Sequence, residues 1–145
     1  MLYVVTGPPA AGKSSWIEAH AIAADIVIDL DRITSALTGP GAAAWCQHPL
    51  HLRVAHRARF AAIDEALQHL DRLDVYLIHS QPSPKALAKY RRHQARIVVV
   101  DPGEQIVMAR IEAMRAPEMR RVATRWYRAR RGRTPEAMPH ASRRW

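Results

Sequence analysis

Leu2-Tyr3-Val4-Val5-Thr6-Gly7-Pro8-Pro9-Ala10-Ala11-Gly12-Lys13-Ser14-Ser15 begins one residue into the chain. Its apolar, partly β-branched start predicts a short buried strand that ends at Thr6-Gly7, with a helix from Lys13 to about His20. Between them, Gly7 to Ser14 matches the spacing G-x-x-x-x-G-K-[ST], and each fixed position has its own physical reason. Gly7 and Gly12 permit backbone angles that a side chain would forbid, so successive N–H groups can turn inward on a phosphate. The following helix aims the positive end of its dipole at the same anion. Lys13 is expected to reach the β- and γ-phosphates of ATP or another NTP, and the Ser14 hydroxyl to complete a Mg²⁺ shell. Pro8, Pro9, Ala10, Ala11 and Ser15 fill out the expected binding loop.

Working outward, short apolar runs alternate with helical stretches. Ile26-Val27-Ile28 predicts a second strand closing at Asp29-Leu30-Asp31, followed by a short helix over 32–37 and a break at Thr38-Gly39-Pro40-Gly41. The longest helix is expected over 50–70, with Phe60, Ile63, Leu67 and Leu70 as its core stripe. Val75-Tyr76-Leu77-Ile78 and Ile97-Val98-Val99-Val100 predict two more strands, and Ser83-Pro84 predicts a capped helix start. Helices over about 104–115 and 117–131 follow. Nearly continuous apolar strands separated by helices imply an α/β fold with a parallel sheet of about four to five strands and helices on both faces, and with the Gly7–Ser14 motif a single P-loop NTPase domain is expected. The domain is expected over 1–131, with 132–145 as a basic flexible tail.

Ligands on such sheets bind beyond the carboxyl ends of the strands, which draws attention to Asp29 and Asp31. Transfer of a phosphoryl group to an alcohol needs an acceptor for the hydroxyl proton, and an Asp within reach supplies it. Alternate residues on an extended segment share a face, so both carboxylates are expected together. One would hold the substrate hydroxyl and the other a Mg²⁺-bound water; the competing role is a cap on the next helix, which suits Asp31. Neither later strand ends in the Asp-Glu pair of hydrolytic motors: the third runs Ile78-His79-Ser80-Gln81 and the fourth Val100-Asp101-Pro102-Gly103. Transfer to a bound acceptor is favoured over hydrolysis.

Composition bounds the rest. The 145 residues allow one core, and 48% hydrophobic with 24% charged residues is ordinary globular usage. The single cysteine, Cys46, excludes an internal disulfide. With no apolar run long enough to cross a membrane and no leader-like start, a cytoplasmic protein is expected. The formal charge of +9 is unevenly spread: residues 1–84 hold six basic and eight acidic side chains, net −2, whereas 85–145 hold sixteen and five, net +11. Such asymmetry points to a polyanionic ligand or to a solvated arginine-rich surface. Arg121, Arg125 and Arg128 fall on one helical stripe, offset from a second stripe of Met119, Val122 and Trp126, of which Trp126 is expected in the core. Arg53 and Arg57 stand one turn apart near the start of the long helix, where an acceptor phosphate or plain solvent would meet them. His48, His51 and His56 have no partner at metal-ligand spacing and are read as surface or acceptor-pocket residues.

These features resemble the small P-loop kinases of the phage polynucleotide kinase and zeta-toxin type, within the wider nucleoside-phosphate kinase group. The resemblance spans roughly residues 2–127. It rests on the loop ending Gly12-Lys13-Ser14-Ser15-Trp16, on Ile26-Val27-Ile28-Asp29-Leu30-Asp31-Arg32, on the strand through Ser80, and on Val100-Asp101 with the Arg-bearing helix beyond. It implies that Asp31 activates an acceptor hydroxyl, that Arg110 and Arg115 are lid arginines over the ATP phosphates, and that the acceptor is a nucleotide or a polynucleotide 5′-hydroxyl. Acceptor contacts are then expected from Arg32, Arg53, Arg57, Arg121, Arg125 and Arg128, and metal contacts from Ser14 and Asp29. The chain departs from the family in a very short lid between Arg115 and Pro117 and in His79-Ser80, where an Asp is common. The alternative expectation is a non-catalytic or weakly hydrolytic P-loop module that holds nucleic acid or a partner protein through its basic C-terminal part.

Overall fold

A computed structural model describes residues 1–42, 48–114 and 116–132. Cys46, Arg115 and the arginines of the expected tail lie outside these residues. Four strands, β1 (Leu2–Thr6), β2 (Ile26–Ile28), β3 (Val75–Ile78) and β4 (Arg96–Val99), form one parallel sheet in the order β2-β3-β1-β4. The helices are α1 (Lys13–Glu18), α2 (Leu30–Leu37), α3 (Pro49–Ala66), α4 (Pro84–Arg92), α5 (Glu104–Ala113) and α6 (Pro117–Arg131), with a single 3₁₀ turn at Leu67–His69.

Both faces of the sheet are covered because strand side chains alternate. Leu2 and Val4 of β1 and Val75 and Leu77 of β3 pack beneath Ile63, Ala66 and Leu67 from the α3 side and Tyr90 of α4. Val5 and Tyr76 face the other way, against Trp16 and Ile17 of α1, Val107 and Ile111 of α5, and Ala123, Trp126 and Tyr127 of α6. Each fully buried Leu or Val in these layers contributes about 1.5–3 kcal/mol. The chain leaves β1 toward β2, then returns and crosses past β1 to reach β4. The order therefore reverses between β1 and β3, which makes the crevice beyond their carboxyl ends the natural ligand position. No helix among the described residues is long and apolar enough to cross a membrane.

Ile63 and Leu67 of the expected α3 stripe and Trp126 of α6 are buried, and one residue of each stripe turns outward. On α3 the buried stripe is Ala55, Arg59, Ile63 and Ala66, and Phe60 is 57% exposed. Phe60 lies one residue, about 100° of helix rotation, from the inward line, and that line carries an arginine. On α6 Ala123 and Trp126 face inward with Tyr127, and Val122 is 52% exposed for the same reason. A third correction bears on the site: α2 starts at Leu30, so Asp31 lies in the first turn of a helix and not on an extended segment shared with Asp29.

Candidate active site beyond the strand ends

The turn from β1 into α1 has two unlike glycines. A Cβ on Gly7 would lie 2.1 Å from the Val100 carbonyl oxygen, at φ +143°, so glycine here lets the loop pass against the end of β4. Gly7 N–H points away from the loop, toward the Ser80 carbonyl at 3.4 Å. Gly12 caps α1 in the left-handed region, as does Ala10 at φ 57°, and the turn curls into a concave nest. Its consequence is a run of open donors. Ala10, Ala11, Gly12, Lys13, Ser14 and Ser15 each leave the backbone N–H without a hydrogen bond of ordinary geometry to any described residue. Gly12 to Ser15 are the donors that any helix start leaves open, and Ala10 and Ala11 extend the run back into the turn, so the nest is a candidate anion cradle.

Lys13 closes over this cradle, donating to the carbonyls of Gly7 at 3.1 Å and Pro8 at 2.6 Å. Burial lowers its pKa to about 8, against the opposing pull of Asp31 and Asp29. Arg110 reaches in from α5, its Nη1 donating to the Ala10 carbonyl at 3.1 Å. A guanidinium thus stands at the loop itself. Ser14 and Ser15 are exposed on the first turn of α1, with their hydroxyls free of partners among the described residues.

The two aspartates have different roles. Asp29, 8% exposed at the end of β2, caps α2: one of its carboxylate oxygens accepts the Asp31 N–H at 3.0 Å. Asp31 makes no side-chain hydrogen bond or ion pair among the described residues, and it faces Lys13 closely enough for each charge to shift the other's titration. Its carboxyl keeps an open edge to solvent, yet desolvation by its neighbours, then repulsion from Asp29, raises its pKa, while Lys13 draws it down. A poised, unpartnered carboxylate is what a proton acceptor requires. Among the described residues no group of three His, Cys, Asp or Glu side chains forms a metal cage.

Several basic residues lie elsewhere. Arg32 on α2 and Arg53 and Arg57 on α3 are exposed. Arg121, Arg125 and Arg128 share one face of α6 with Arg120 and line an open groove of about 500 Å³ together with Pro117 and Thr124. His48 caps α3 by accepting the Leu50 N–H at 3.2 Å, and His56 is exposed.

Two features escaped the sequence. On the loop side, α6 is tied to the strand ends: Trp126 Nε1 donates to the Ser80 carbonyl at 3.1 Å, and Asp101 receives the Tyr127 hydroxyl at 2.6 Å and Arg130 at 3.3 Å. On the other side, Arg59 is 6% exposed at the end of β3, where its Nη2 donates to the Ile78 carbonyl at 2.8 Å. Its Nε is buried without a partner among the described residues, as is Nδ1 of His51 on the same helix. Beside Arg59, His79 shares a 2.9 Å hydrogen bond with the Tyr90 hydroxyl, and burial together with the Arg59 charge lowers its pKa to about 4. The sign of this cluster in the sequence was an arginine at the i+4 step between Ala55 and Ile63, inside the stripe that α3 buries. No family model matches the chain, and no match to it was found among curated proteins.

Proposed function

We propose that the chain is a P-loop kinase that transfers the γ-phosphate of ATP to a nucleotide or to the 5′-hydroxyl of a polynucleotide. The observation that carries this reading is the set of six open N–H groups from Ala10 to Ser15, closed over by Lys13 and faced by an unpartnered Asp31. The loop amides and the α1 dipole hold the β- and γ-phosphates. Lys13 releases the Gly7 and Pro8 carbonyls to reach them, and Arg110 adds charge on the α5 side. Asp31 takes the proton of the acceptor hydroxyl. The Ser14 hydroxyl and the carboxylate of Asp29 are hard oxygen ligands suited to Mg²⁺, directly or through water. Mg²⁺ when bound neutralises charge on the phosphoryl oxygens. The lone cysteine supports work in the cytoplasm.

The arginine-lined groove of α6 favours a second reading, a module that grips a polyanion such as a nucleic acid with little or no turnover. A γ-labelled ATP screen over nucleosides, nucleotides and 5′-hydroxyl oligonucleotides separates the two. Label in an acceptor, lost in Lys13→Ala, is the expected result. Free phosphate alone, or oligonucleotide binding without turnover, selects the module.

A further inference from the structure

We infer that the outer face of α6 is a docking surface for the phosphodiester backbone of a polynucleotide, held outside the crevice and without need of a strand end. Residues 117–131 carry six arginines and one carboxylate, Glu118. Two of the arginines serve the fold, Arg130 on Asp101 and Arg131 on Glu104. Arg120, Arg121, Arg125 and Arg128 are exposed, and none of them forms an ion pair among the described residues, with Glu118 or any other carboxylate. They line an open groove of about 500 Å³ with Pro117 and Thr124, and no acidic or large apolar side chain among the described residues joins that lining. Like charges one turn apart repel, and Arg120 and Arg121 also stand toward the N-terminal end of the helix, where its dipole favours anions. An anion seated in the groove relieves both.

The other side of the helix is fixed. Ala123, Trp126 and Tyr127 are buried against the sheet, and the Trp126 and Tyr127 polar atoms are tied to Ser80 and Asp101. At about 100° per residue, Arg121, Arg125 and Arg128 project from the side opposite these three, so the groove opens to solvent on a held support. Helix rise sets Arg121 and Arg125 about 6 Å apart and Arg121 and Arg128 about 10 Å apart along the axis, the scale on which the phosphates of one strand follow each other. Side-chain chemistry selects the partner. No lysine follows Lys89 in the sequence, and the planar fork of an arginine meets two phosphate oxygens at once. A protein interface carries aromatic or aliphatic anchors at its centre, and a membrane-surface helix sets an apolar face beside its basic one; the lining of this groove offers neither. The inference names the partner of the polyanion reading given above and rests on that reading of the groove, not on phosphoryl transfer.

The test uses the full chain and a closed circular oligothymidylate of about thirty nucleotides, labelled internally, which has no 5′ end to offer the crevice. Fluorescence anisotropy is followed across a series of sodium chloride concentrations. The wild type is compared with Arg121→Gln/Arg125→Gln/Arg128→Gln and with a control, Arg91→Gln/Arg92→Gln/Arg96→Gln. The control removes as many exposed charges, at the end of α4 and the start of β4. At about 0.1 M salt the α6 variant is expected to bind the circle at least about tenfold more weakly, with a salt slope flatter by about two, while the control stays near wild type. Equal affinity in the α6 variant, an equal loss in the control, or a preference for polyglutamate or phosphatidylserine vesicles over the circle overturns the proposal. If the triple α6 variant does not fold, Arg125→Gln alone decides: a few-fold loss with a slope change of about 0.7 supports the site, and no change overturns it. Lys13→Ala is expected to bind the circle as the wild type does; loss of binding there puts the strand in the loop and overturns the α6 site. Label transfer to an acceptor is judged separately, and its failure ends the kinase reading while the circle result stands.

Discussion

Strands β1 and β4 lie side by side, and each ends in a glycine-bearing turn that leads into a helix. The two turns treat their polar groups in opposite ways. After β1, six backbone donors stay open and Asp31, across the crevice, has no side-chain partner among the described residues. After β4, one oxygen of Asp101 accepts both the Gly103 N–H and the Tyr127 hydroxyl, and the other meets Arg130, whose guanidinium also lies over the Trp126 ring. The same place in the topology thus yields a site in one case and an anchor in the other. What separates them is whether the fold itself satisfies the groups it brings there. An aspartate at a strand end is not functional by position alone; Asp101 holds α6 down and has no free oxygen for a substrate.

The sharpest way to break this contrast is to neutralise one carboxylate of each kind. Asp31→Asn is expected to lower kcat by about 10²–10⁴-fold with ATP affinity little changed, since a base acts in the chemical step. Asp101→Asn is expected to lower thermal stability and leave kcat per folded molecule near wild type. Normal turnover in Asp31→Asn would remove it from the mechanism and move the role to Asp29.

The glycines come next. Gly7→Ala forces a Cβ into the Val100 carbonyl, a backbone atom that cannot swing aside, and is expected to cost more than about 2 kcal/mol of stability and to disorder the loop. Gly103→Ala, also at positive φ but with nothing within 4 Å of the new atom, should cost about 1 kcal/mol from backbone strain alone. Denaturant melts of the pair give the comparison. Equal losses would mean that the contact with β4 is unimportant.

A third effect is expected in pH. Burial lowers the Lys13 pKa from 10.5 to about 8, while Asp31 and Asp29 favour its charged form. In the proposed mechanism nucleotide binding needs the ammonium, so the free loop is expected to lose affinity as pH rises through about 8, by up to tenfold per pH unit above it. Calorimetry in buffers of different ionisation enthalpy should detect proton uptake on ATP binding in that range. A flat affinity profile would mean that Lys13 does not carry its charge to the phosphates.

The smallest expected effect is at the anchor. Tyr127→Phe removes one hydrogen bond to the Asp101 carboxylate and should cost about 1 kcal/mol in a denaturant melt, with ATP affinity unchanged. A loss of ATP affinity instead would show that α6 positions the loop and that the two turns are not independent.

The strand-loop-helix reading of residues 2–15, the parallel α/β order and the start of α4 at Ser83-Pro84 were all legible in the sequence, because each depends on neighbours within a few residues. Apolar runs, glycine geometry and caps are local physics. Lys13 and Arg110 were also legible as candidates, and the fold brings both to one loop. The division of labour between Asp29 and Asp31 was not, since it turned on whether α2 begins at Leu30 or two residues later. Nor was the whole inward line of α3, of which Ile63 and Leu67 were expected and Arg59 was not. Phe60 looks like core and Arg59 like surface, but a helix buries whichever side its neighbours meet, and here that side carries a charge to the end of β3. Local sequence determines which groups are available. Only the packing of distant segments decides which of them are left without a partner, and among the described residues the Asp31 carboxylate and the donors of the turn after β1 are such groups.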